Sequence, residues 1–353
     1  MSKNRAFGLL ELLIAMTILI MLMGVIFFSI SQVSKLTIKT KTEIDGYRSV
    51  RFGMEIINRK LSQATLNSYW DYYTNDGKRV KDYNVQEPST YGRYSELHFV
   101  SAPLNKLGIT SPSKSHGIFF QSPQGYSQNS DLQGVKGLLN ISGFFCGEYI
   151  IPAPISLFKS EKRFGLLEML IPTEQSNIYA SRFQTDINQG SNYAWFLGWM
   201  GDLDTRRYIA PVAENVLTAI FVPHFSISDD VGVLNSENSL TPNLFYDSRQ
   251  IGPNNSTVKL VRRVGGSWQA SWLHQLPPFV DVYLLGVSET SAQALQADPD
   301  LISDLFSGII FEQENTITKN LDLVVNRGRK YNYDLRWFKS TVTLFSSQNE
   351  AGF

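Results

Sequence analysis

The longest apolar pattern in the chain runs from Leu12 to Ser34, where no charged side chain occurs. Its length and its Leu, Ile, Met, Val and Phe content let it cross a hydrocarbon core as one helix. The pattern then turns periodic. Val33, Leu36, Thr40, Ile44, Tyr47, Val50, Met54, Ile57, Leu61 and Ala64 recur at steps of three and four, which places them on one helical stripe. Lys39, Lys41, Glu43, Asp45, Arg48, Arg51, Glu55 and Arg59 fill the solvated face. No proline occurs before Pro88, so both patterns predict a single helix over roughly 9–66, about 85 Å long at 1.5 Å per residue. Its stripe is expected to lie on a sheet. Gly24, Gly46 and Gly53 are expected weak points, each costing about 1 kcal/mol relative to Ala.

Tyr69 to Tyr94 is polar and aromatic, with a turn at Asp76-Gly77 and a breaker at Pro88, and reads as a long loop. Alternating or continuous apolar runs predict strands at Ser95–Ser101, His116–Pro123, Gly143–Ile151, Arg163–Ile171, Ala213–Ile227, Pro278–Val287 and Leu335–Phe345. Pro223 implies that its strand lies at an edge or a bulge. Val342 and Leu344 are expected to face inward, and a hairpin is expected about Gly265-Gly266. Short helices are expected at Leu132–Asn140, Glu289–Ala297, Asp300–Phe306 and Ile317–Arg327. Thr173 to Arg207 reads as helical fragments, with Tyr193, Phe196, Leu197 and Met200 as a core stripe beside Trp195 and Trp199. The sum is an α+β class: a long membrane-spanning N-terminal helix packed on a globular domain with a mostly antiparallel sheet.

Composition narrows the function classes. The 353 residues carry 32 Lys plus Arg against 32 Asp plus Glu, so no global field selects nucleic acid. Cys146 is the only cysteine; it makes no intrachain disulfide and no zinc site by itself, and reads as a buried small hydrophobe. His98, His116, His224 and His274 lie in separate segments without paired-ligand spacing, and His98 and His224 read as structural. No nucleophile elbow or phosphate loop is present. Asp202-Leu203-Asp204 and Asp229-Asp230 offer oxygen ligands but match no complete calcium loop. No catalytic residue, metal or cofactor is expected. Tyr69, Trp70, Tyr72 and Tyr73 could stack on sugars or partners, or serve as core or lid.

The sharpest feature precedes the apolar run. Lys3 and Arg5 stand in a six-residue leader, followed by Ala6, Phe7 and, at the fifth position from that Phe, Glu11. A carboxylate at the start of a lipid-spanning helix costs about 2.5–3.5 kcal/mol on insertion scales and marks a functional position. This layout resembles the class III signal of type IV pilins and pseudopilins. The resemblance implies a prepilin peptidase that cuts between Ala6 and Phe7 and N-methylates Phe7. It also implies that Glu11 meets the terminal amine of a neighbouring subunit during assembly. Ala6 stands where the family usually has Gly, and Gly8-Leu9-Leu10 where Thr or Ser usually precedes Leu. An ordinary signal peptide cut at Ser29-Ile30-Ser31 and a plain single-pass anchor compete with this reading.

Pro211-Val212-Ala213-Glu214-Asn215-Val216, Leu276-Pro277-Pro278-Phe279-Val280-Asp281-Val282 and Arg336-Trp337-Phe338-Lys339-Ser340-Thr341-Val342 are similar to segments of J-type minor pseudopilins of type II secretion. Leu61 to Tyr72 and Ser95 to Ser101 most closely resemble the Verru_Chthon cassette protein C family. These resemblances imply a minor pilin or pseudopilin subunit, not an enzyme, whose partners are the prepilin peptidase and other pilin-like subunits. The expected divisions are a leader at 1–6, a transmembrane segment at 7–30, an amphipathic helical half at 31–67 and a globular domain at 68–353. Lys35, Lys39 and Lys41 outnumber the basic residues of the leader, but long domains translocate largely regardless of charge. The processing signal implies a cytoplasmic leader, a single pass through the inner membrane and a periplasmic globular domain. The alternative is a membrane-tethered or secreted binding module, with carbohydrate as a candidate ligand.

Overall fold

The structure, a computed structural model, describes residues 8–74, 79–83, 88, 90–151, 161–178, 193–200, 205–224, 244–249, 262–264, 267–269, 274–298 and 300–348. The chain divides into two compact units, residues 1–45 and 46–353. Helix α1 (Leu9–Leu61) begins in the first and ends in the second. It stops short of the expected residue 66 because the backbone is captured elsewhere. Thr65 N donates to Gln121 O at 2.9 Å, and Asn67 turns left-handed at φ 46°. The stripe is divided too: Tyr47, Val50, Met54, Ile57 and Leu61 are buried, whereas Val33 and Leu36 are exposed.

In the second unit, β1 (Tyr69–Tyr73) and β2 (Thr90–Tyr94) form an antiparallel pair, with α2 (Val80–Tyr83) between them. The expected long loop is therefore a hairpin. Its polar-aromatic sequence gives no period-2 contrast because only Tyr73 of β1 is buried. A six-stranded sheet follows, built from β3 (Val100–Pro103), β4 (His116–Pro123), β5 (Leu139–Ile151), β6 (Glu161–Ile171), β7 (Ile209–Glu214) and β9 (Tyr246–Asp247), in the order β7-β6-β5-β4-β3-β9. All its pairings are antiparallel. The expected helix at Leu132–Asn140 is instead a 3-10 turn at Ser130–Leu132 running into β5, and α3 (Ala194–Leu197) lies between β6 and β7.

The single strand expected at Ala213–Ile227 is two. Asn215, at φ 59°, takes the left-handed conformation that Asn tolerates better than most residues. There the chain leaves β7 and enters β8 (Val216–Pro223) in a second, three-stranded sheet of order β13-β12-β8. Pro223 closes this edge strand, as its missing donor requires. A short hairpin, β10 (Arg262–Val264) with β11 (Ser267–Gln269), flanks the expected Gly265-Gly266 turn, whose residues lie outside those described. Strand β12 (Phe279–Val287) is central, and α4 (Glu289–Ala297), α5 (Asp300–Leu305), α6 (Glu314–Lys330), β13 (Leu335–Thr343) and α7 (Phe345–Gln348) complete the chain.

Side chains on opposite faces of β12 enter different cores, as the strand period demands. Val280, Val282 and Leu284 join the cluster of Val50, Ile57 and Leu61 from α1 with Phe119 and Phe144. Tyr283, Leu285 and Val287 join Leu295, Ile302, Phe306, Leu321 and Val324 of the helical layer. Residues 46–61 of α1 lie close to both sheets. Asn58 Nδ2 donates to Ser340 Oγ at 2.9 Å, Glu214 N donates to Ser49 Oγ at 3.0 Å, and Lys60 pairs with Glu168. Val342 and Leu344 are buried, as their alternation predicts.

Candidate functional site

The N-terminal site begins where helical bonding begins. Leu12 N donates to Gly8 O at 3.3 Å, and Glu11 is the third residue of α1. Ala6 and Phe7 lie outside the described residues, as does the side chain of Glu11. Residues Leu12–Thr37 are long and apolar enough to cross a membrane, and none of that span is buried within the molecule. Its large apolar side chains, with those of Leu9 and Leu10, are between 50 % and 83 % exposed. Covering one such side chain is worth about 1.5–3 kcal/mol. A bare helix in water would therefore forfeit tens of kcal/mol, well beyond the roughly 5–15 kcal/mol by which domains are stable. Lipid or other apolar helices must cover it.

Three hydroxyls in the span bond back to their own helix. Thr17 Oγ1 donates to Ile14 O at 2.8 Å, Ser29 Oγ to Val25 O at 2.9 Å and Thr37 Oγ1 to Val33 O at 2.8 Å. Hydroxyls bonded back to their own helix can sit in hydrocarbon. A carboxylate has no such route, because it has no proton to donate when ionised. Its place in the first turn gains about 0.3–1 kcal/mol from the helix dipole, less than the roughly 2.5–3.5 kcal/mol of inserting the charge.

The other residues singled out in the sequence scatter through the second unit. Cys146 is buried in β5, and burial pushes its thiol up to about 12, which makes it inert. Tyr69, Trp70 and Tyr72 are exposed on the first hairpin, whereas Tyr73 is buried. The two aspartate runs lie outside the described residues. His98, His116 and His274 are buried, and burial holds each imidazole below its ordinary range, His116 at about 4.

Two clusters escaped sequence reasoning. In the first, Trp195 Nε1 donates to His98 Nδ1 at 2.9 Å, so His98 Nε2 carries the proton toward Asp247 Oδ1 at 2.7 Å. Tyr193 donates its hydroxyl to Asp247 Oδ2 at 2.8 Å, and Arg249 N donates to Oδ1 at 2.8 Å. His98 and Asp247 are wholly enclosed, so the network ties the segment leading into β3 to β9 and α3. The second cluster joins His224, Asp281 and Glu314, three residues far apart in sequence. No local spacing announces either one.

Taken together, the architecture is that of an α+β protein with one exposed N-terminal membrane-spanning candidate. Residues 1–27 match the family model described as Prokaryotic N-terminal methylation motif. That match indicates a prepilin-type protein processed by a peptidase, supports a type IV pilin-like family, and points to a structural subunit that assembles with others rather than to an enzyme. No curated protein and no solved structure matches the chain.

Proposed function

We propose that the protein is a minor pilin-like subunit, cut between Ala6 and Phe7, N-methylated on Phe7 and assembled into a type IV pilus-like fibre or a secretion pseudopilus. The observation that carries this reading is the coincidence of the methylation motif at residues 1–27 with an apolar helix that no described residue covers. Residues 1–6 are the leader, 7–30 the membrane segment, 31–67 the extracytoplasmic continuation and 68–353 the periplasmic domain. Once released, the Phe7 amine of one subunit neutralises Glu11 of the next; two buried charges that are each costly alone are far less so as a pair. The apolar helices then exchange lipid for one another, and the pair sets their stagger. The similarity of the globular segments to J-type pseudopilins and to the Verru_Chthon cassette protein C family supports a minor role beside other pilin-like proteins.

A second reading, a tethered binding module, is favoured only by the exposed Tyr69, Trp70 and Tyr72. N-terminal sequencing of the mature protein separates the two. Methylated Phe7 is the expected first residue; Gln32 would indicate simple secretion and overturn the pilin-like reading. The Glu11→Ala variant should be processed at the same bond but be depleted from fibre fractions.

A further inference from the structure

We propose that His224, Asp281 and Glu314 bind a divalent transition-metal ion of the zinc type. His224 follows the end of β8, Asp281 lies on the central strand β12 and Glu314 is the first residue of α6. One ligand atom from each lies within 4.8 Å of the others. The His224 ring is fixed by stacking on Phe279, with centroids 4.2 Å apart, and its backbone N donates to Phe279 O at 3.0 Å. The imidazole is thus held in place before any ligand arrives.

The observation that points to a ligand is Nε2 of His224. The side chain is only 9 % exposed, and this nitrogen has no hydrogen-bond partner. Asp281 Oδ2 lies 3.4 Å away, an ion-pair contact at the long limit of hydrogen-bond distance and without the alignment of a well-made bond. An orphaned buried polar atom costs about 1–3 kcal/mol, so it calls for an occupant. The same 3.4 Å suits a metal. Donors about 2.0–2.1 Å from a tetrahedral zinc centre lie roughly 3.3–3.4 Å from one another. A shift of about 1 Å by Glu314, at the partly exposed start of its helix, would complete a three-ligand site with water in the fourth position.

The donor set selects the ion. One imidazole with two carboxylates suits zinc and its first-row neighbours; calcium takes about six to eight oxygens. Lys339 is the competitor. Its Nζ lies 2.8 Å from Asp281 Oδ2, while the Thr341 hydroxyl donates to Oδ1. The Lys339 side chain is 41 % exposed and has solvent to swing into, so the metal replaces a mobile cation rather than entering a closed core. With Lys339 gone, two carboxylates and a neutral imidazole balance a 2+ ion.

The test uses the full chain, untagged, stripped with chelator and held in detergent micelles. Zinc chloride is titrated against a chromophoric competitor, and thermal unfolding is followed with and without zinc. Among the described residues His224 is the histidine that stands with two carboxylates at ligand spacing, so histidine-dependent binding reports this site. The expected result is one zinc per chain with a raised unfolding midpoint. His224→Ala should weaken binding by more than the roughly 10–100-fold that outer-shell partners cost, and Glu314→Gln, a milder change, should weaken it at least about tenfold. Lys339→Met should tighten it about tenfold, which corresponds to about 1.4 kcal/mol. Zinc affinity unchanged in His224→Ala and Glu314→Gln, or calcium binding as tightly as zinc, would overturn the proposal.

Discussion

His116 opens β4 with its ring enclosed, and its Nε2 lies 3.1 Å from Phe311 O. Burial favours the neutral ring and lowers its titration to about 4, outweighing the hydrogen bonds to backbone carbonyls, which favour the charged form. An unfolded histidine titrates near 6.5. Between those values the unfolded chain binds a proton that the folded chain refuses, so stability rises with pH across this window and is lost as the pH falls through it. Lowering the pH from 7 to 4.5 should cost about 2.4 kcal/mol at His116 alone. Burial shifts His98 and His274 in the same direction, adding to the slope. Urea unfolding in detergent at several pH values checks this. His116→Gln should flatten the pH dependence by about that amount, and an unchanged slope would show that His116 is not the group refusing the proton.

Elements explain which residues the sequence can disclose. The three glycines of α1 look alike along the chain, yet a side chain at Gly24 would meet nothing within 4 Å. A Cβ at Gly53 would come within 2.8 Å of the Ala213 Cβ on β7 and 3.0 Å of Leu166 Cδ2 on β6. Gly53 is therefore the close-approach point of helix on sheet, not a weak spot. Gly53→Val should destabilise the second unit by about 1–3 kcal/mol through overpacking, whereas Gly24→Val should leave its thermal midpoint where it is. Strands β4, β6 and β12 and helix α4 were legible because their apolar runs are continuous or cleanly periodic and end at prolines or polar residues. The β7–β8 division was not. A single left-handed Asn215 moves the chain between sheets without interrupting the apolar run. The first hairpin was hidden for the opposite reason, since its exposed aromatic strand shows no buried face. Local features disclosed the processing motif, while His224, Asp281 and Glu314 meet only through tertiary folding.

At the scale of the whole molecule, the two units divide the physical work, and the division is testable. Every described side chain from Leu9 to Thr37 whose burial is known is exposed, while the described core begins at Tyr47 and continues to Leu344. The side chains of Leu9, Leu10 and Leu12 to Thr37 thus take no part in that core. Removing residues 1–45 deletes the surface that demands lipid and, among the described residues, no core side chain. A chain starting at Gly46 should therefore be soluble without detergent, keep the circular dichroism of the second unit and unfold within a few degrees of the intact chain in micelles. The shortened α1 still has sixteen residues to Leu61, and its buried stripe, rather than helix propensity, supplies most of its stability, as is usual for helices in proteins. If the fragment aggregates while remaining folded, the exposed Tyr69, Trp70 and Tyr72 become the first suspects, because they are the aromatic residues of the hairpin that the fold leaves uncovered. If it fails to fold, the helix needs its membrane half as a nucleus, and anchor and domain are not separable.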